Sequence, residues 1–147
     1  MSVQFELRCP VSADLAFIRD LVRVCGRYAG LTGERLDHLV LAVNEAVTNV
    51  LDHGGAAGSV TARGTQDGII VEILDFAGRL SAGHLGGARV DPTGAHGFGL
   101  WVIQRLCDGV SLEQTGLGSL LSLHMNHDPA TSVRHLGRAG RERQPAH

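Results

Sequence analysis

Glu45 and Asn49 stand four residues apart in the segment Asn44-Glu45-Ala46-Val47-Thr48-Asn49-Val50-Leu51-Asp52-His53. On a helix that spacing holds their Cβ atoms about 5–6 Å apart, so a carboxylate able to accept a proton lies one turn from a carboxamide able to ligate a hard cation. The pair suits magnesium-phosphate chemistry; a solvated polar face is the plainer alternative. Asp75 closes the apolar run Ile69-Ile70-Val71-Glu72-Ile73-Leu74 and precedes Phe76-Ala77-Gly78. It is either a turn former or a carboxylate that accepts hydrogen bonds from the exocyclic amine of adenine, where a guanine carbonyl would meet it with like polarity. Gly94-Ala95-His96-Gly97-Phe98-Gly99-Leu100 runs directly into a helical pattern. Glycines there let backbone N–H groups approach phosphates, and a helix N-terminus adds a favourable dipole; a simple loop-to-helix cap is the alternative. The dinucleotide fingerprint fails on its own spacing, because counting from Gly97 puts Val102 at the third glycine position and a long loop in front.

These groups need elements to position them. Val3, Phe5 and Leu7 alternate with polar residues, which predicts a strand over residues 3–9 ended by Pro10. Ser12 is the expected cap of a helix over 13–29, where Leu15, Ile18, Leu21, Val22 and Cys25 recur at helical spacing and Gly30 marks the stop. Thr32 opens a second helix whose stripe of Leu36, Leu39, Val40, Val43, Val47 and Val50 runs to Gly54-Gly55. Residues 59–64 and 69–75 read as a hairpin about Gln66-Asp67-Gly68. The glycine-rich stretch 76–96 reads as a lid-like loop, 98–107 as a helix, and 110–115 with 119–126 as a closing strand pair about Gly116-Leu117-Gly118. Helices clustered on one face of a mixed, mostly antiparallel sheet make an α+β two-layer sandwich over residues 1–128. Residues 129–147, arginine-rich and without hydrophobic pattern, read as a basic disordered tail.

Composition removes several chemistries. All 13 basic side chains are Arg, and with no Lys there is no GxxxxGK[ST] phosphate loop, no lysine of a eukaryotic-type kinase strand and no Schiff base. Fifteen acidic residues against those 13 leave a net charge of -2, too balanced for direct nucleic-acid binding. Cys9, Cys25 and Cys107 form no CxxC and read as reduced core residues. No apolar run approaches the ~18 residues of a membrane span, so no membrane contact and a cytoplasmic location are expected. His124 and His127 alternate across a strand and make poor joint metal ligands.

In this order the motifs resemble those of the GHKL (histidine kinase-like) ATPase superfamily over roughly residues 35–126. Glu45-x-x-x-Asn49 is similar to its N box, Asp75-Phe-Ala-Gly78 to the first glycine box, Gly97-Phe-Gly99-Leu100 to the second and Gly116-Leu-Gly118-Ser119 to the last. The wording Asn-Glu-Ala-Val-Thr-Asn-Val-Leu-Asp-His and the N-terminal strand and helix look most like the bacterial anti-sigma factor serine/threonine kinase branch. The resemblance implies a Bergerat-type ATP-binding fold with ATP and Mg²⁺ as cofactors, Glu45 as catalytic base and Asn49 on the metal. It also implies a nucleotide site built from Asn49, Asp75, Gly78, Gly97, Phe98, Gly99, Leu100 and Ser119. The implied partners are a sigma factor and an anti-anti-sigma (STAS-type) protein, with a homodimer formed through the first strand and helix. The first glycine box departs from D-x-G-x-G at Ala77 and Arg79, which implies a reshaped adenine side with weaker nucleotide affinity. The alternative is a module of the same fold that sequesters a sigma factor or STAS-domain protein without phosphoryl transfer.

Overall fold

The computed structural model describes residues 3–53, 57–77 and 98–127. In chain order the elements are β1 (Val3–Pro10), α1 (Leu15–Tyr28), α2 (Gly33–His53), β2 (Gly58–Thr65), β3 (Gly68–Asp75), α3 (Phe98–Leu106), β4 (Gly109–Thr115) and β5 (Gly118–Asn126). The strands form one sheet in the order β1-β2-β3-β5-β4, and every described pairing is antiparallel, so the mixed character expected of the sheet is not seen among the described strands. Pro10 remains inside β1 because that strand lies at the sheet's edge, where one side needs no N–H donor. The lid-like loop and the basic tail expected from the sequence lie almost wholly outside the described residues.

Strand alternation divides the sheet into two faces. On one, Val60, Ile73 and Leu121 align across three strands, as do Ala62, Val71 and Leu123, all buried. The helices cover this face: α2 lays Leu39, Val43, Val47 and Val50 on it, flanked by α1 toward β2 and α3 toward β4. The α1 cap is Asp14 rather than Ser12. Asp14 accepts from the Phe17 N–H at 3.1 Å, while the Ser12 hydroxyl accepts from the Asp14 N–H at 3.1 Å and so orients the cap from outside. At the far end Gly30 turns at φ 96, and the Leu31 N–H returns to the Gly26 carbonyl, a left-handed stop of the expected kind.

One polar clasp marks which way the helices run. Arg35, in the first turns of α2, binds the Asp108 carboxylate just beyond α3, and Asp108 also accepts from the Asn126 N–H at 2.8 Å. The start of α2, the end of α3 and the end of β5 therefore meet at one end of the sandwich. It follows that α2 ends, and α3 begins, toward the opposite end, where β3 finishes and β5 starts.

Candidate functional site

That opposite end gathers the residues singled out by type and spacing. Asn49 lies about 21 Å along α2 from the Arg35 clasp, in the helix's last turns. Its flank is fixed by a contact on the other side: Arg19 of α1 donates to the Asn44 side-chain oxygen at 3.0 Å, so α1 lies against Asn44. At 3.6 residues per turn Glu45 and Asn49 lie about 100° and 140° round from Asn44, turned away from its contact with Arg19. Both are half-buried, next to Ala42 and Ala46, which are fully buried.

Asp75 ends β3 at the same end and is only 1% exposed. One of its oxygens, Oδ1, accepts from the Ala77 N–H at 3.0 Å. It shapes its turn, and it is a carboxylate sunk in the sheet's helix-covered face. Directly across lies Ser119, fully buried, with its hydroxyl donating to Gln114 Oε1 at 3.1 Å. Sequence reasoning missed Gly58, which pairs with Asp75 from the other neighbouring strand. A Cβ on Gly58 would overlap the Leu74 carbonyl oxygen, and one on Gly118 would overlap that of Asp75. Gly118 also holds φ 137, a conformation side chains rarely adopt. Two glycines thus let the neighbouring backbones close on the end of β3. The register that exposes the role of Gly58 is a long-range property, so only its place at a strand start could have signalled it.

Phe98, Gly99 and Leu100 form the first turn of α3, and Leu100 is 2% exposed and packed in the core. Leu100 therefore anchors that helix's N-terminus rather than offering a contact surface. Gly78 and Gly97 lie outside the described residues. Among the described residues no cluster of three His, Cys, Asp or Glu could hold a metal ion by itself. The donor set suits a cation that arrives with its own phosphate oxygens and takes a single carboxamide from the protein. A buried carboxylate acceptor, a carboxamide one helix away and the start of α3 are likewise suited to an adenine nucleotide. The sequence profile of the histidine kinase-like ATPase domain matches residues 11–125, most of the chain. The chain belongs to that family. Comparison with curated proteins gives no match. Membership makes this an ATP-binding type of domain, of a family with ATP-dependent kinase and ATPase members that bind ATP typically with Mg²⁺. No helix among the described residues is long and apolar enough to cross a membrane.

Proposed function

We propose that this chain is a cytoplasmic anti-sigma factor that binds Mg-ATP and phosphorylates a serine of an anti-anti-sigma (STAS-type) partner, and so switches between that partner and a sigma factor. The observations that support the reading are the family match over residues 11–125 and the buried Asp75 and Ser119, paired across β3 and β5 at the end of the sandwich toward which α2 runs. In this reading Asp75 accepts from the adenine amine, and Ser119 shapes the floor beside it. Gly78, Gly97, Phe98, Gly99 and Leu100 bring backbone toward the phosphates. Asn49 would hold Mg²⁺, which would supply charge neutralisation on the triphosphate. Glu45 takes the proton of the attacking serine hydroxyl as the bond from its oxygen to the γ-phosphorus forms and the bond to the β–γ bridging oxygen breaks.

The test is a nucleotide titration with and without magnesium, followed by transfer of labelled γ-phosphate to a STAS-domain protein. Expected are Mg-dependent ATP binding and transfer lost in Glu45→Ala, with ATP affinity within about threefold of the parent, since that change removes a group used in the transition state alone. No binding of any adenine nucleotide would remove the enzyme reading.

A second reading is favoured by the departure of the first glycine box from its pattern at Ala77 and Arg79. A module that holds its partners and transfers no phosphoryl group fits that arrangement, and it predicts a tight complex with a sigma factor or STAS-domain protein without labelled product.

For either reading the outer edge of the molecule supports a homodimer. Phe17, Val24 and Tyr28 share one flank of α1 and are exposed; Tyr28 meets Phe5 of edge strand β1 edge-on, ring centroids 6.0 Å apart, beside exposed Leu7. An apolar stripe continuous with an open strand edge is a surface suited to a second copy.

A further inference from the structure

The sheet's other face carries no helix among the described residues, and it is hollowed behind the end of β3. A cavity of about 640 Å³ opens there, lined among others by Arg8, Thr61, Leu74, Phe76, Leu117 and Leu120. Alternation explains its character: Asp75 and Ser119 point to the helix-covered face, so their neighbours Leu74 and Leu120, paired with one another, turn to this one. Phe76 and Leu117 project from the adjoining turns, 54% and 73% exposed, and extend the apolar floor into a wall. The volume lies in the range of small-ligand pockets, which pair apolar walls with a few polar groups.

The charges select the ligand. Glu72 lines the cavity but is engaged by Arg63 at 2.7 Å, and Arg63 also binds Glu6 at 2.9 Å. Arg8 differs: its Nε donates to the buried Thr61 hydroxyl at 3.2 Å, which steadies the guanidinium, and among the described residues it has no carboxylate partner. One oriented guanidinium without a carboxylate partner among the described residues, beside an apolar trough, matches a single carboxylate on an apolar body. A single arginine with no second cation in the lining is a poor match for a phosphate ester, and Glu72 is already held by Arg63.

We propose that this cavity binds a small apolar monocarboxylate, its head on Arg8 and its body on Leu74, Leu120, Phe76 and Leu117. The site backs onto the Asp75 end of the sheet from the opposite face, so its occupancy is measurable on nucleotide-free protein and stands or falls separately from ATP binding. The probe is decanoate, titrated by calorimetry and followed by amide chemical shifts, with decanol and decylamine as controls. Expected is one decanoate per chain with Kd at or below about 1 mM, shifts centred on Leu74 and Leu120, and decanol at least about tenfold weaker. Arg8→Gln should weaken decanoate about tenfold and leave decanol unchanged, while Phe76→Ser weakens both. Equal binding of all three probes, undiminished decanoate binding in Arg8→Gln, or shifts confined to α1 would overturn the proposal. So would a second copy as occupant, recognised by self-association that Phe76→Ser abolishes and decanoate does not displace.

Discussion

Glycine is the residue on which the candidate site's geometry turns. Gly118 must carry a positive φ beside the Asp75 carbonyl, whereas Gly116, two residues earlier in the same β-turn, faces open space. Gly118→Ala is therefore expected to lower stability by about 1–3 kcal/mol in chemical denaturation and to weaken nucleotide binding, while Gly116→Ala stays within about 0.5 kcal/mol on both counts. Cysteine supplies a pH dependence. Burial, with a contribution from Asp108, pushes the Cys107 thiol from 9.0 up to about 12. The unfolded chain therefore loses this proton first as pH rises, and the native state keeps it. The stabilisation is complete below pH 9 and declines between pH 9 and about 12, by up to about 1.4 kcal/mol per pH unit from this group. A denaturation series at pH 8, 9 and 10 checks it, with Cys107→Ala showing the shallower decline. The same burial predicts that iodoacetamide at pH 8 labels Cys107 in unfolded protein far faster than in native protein.

Among the elements, α1 offers the clearest division between what periodicity reveals and what local geometry decides. Its apolar spacing located the helix and Gly30 located its end, but the cap fell on Asp14, because Ser12 and Asp14 both carry capping chemistry and only the backbone path shows which one reaches the Phe17 N–H. Asp14→Ala should cost about 1 kcal/mol in thermal or chemical unfolding, and Ser12→Ala less. The core helix α2 was legible for a different reason: a long stripe of Leu and Val at 3.6-residue spacing has no competing reading as a strand. Its polar residues were harder to place. Asn44 and Asn49 look equivalent in sequence, yet Asn44 bonds to Arg19 of α1 while Asn49 lies about 140° round the helix from that contact.

At the scale of the whole molecule, the sandwich leaves two surfaces without a covering element among the described residues: the β1–α1 edge and the hollow sheet face. The edge belongs to the dimer proposal. Sedimentation equilibrium should return a dimer for the parent chain and a monomer for Val24→Arg, with the parent's unfolding midpoint rising with protein concentration and the variant's fixed. A monomeric parent would remove the dimer while leaving ATP binding untouched.

By itself the sequence determined the element types and nearly all their boundaries, because the periods 2 and 3.6 and the glycine-bearing turns are local properties of the chain. It also showed that Glu45 and Asn49 share a helix face, since a spacing of four is enough for that. Tertiary structure decided what those residues confront. The β3–β5 register sets Ser119 against Asp75, the β2–β3 register makes Gly58 a glycine of necessity, and the Arg35–Asp108 clasp joins the start of α2 to the chain just beyond α3. Each of these joins residues far apart in the chain, and contacts of that kind follow from packing, which no local spacing encodes.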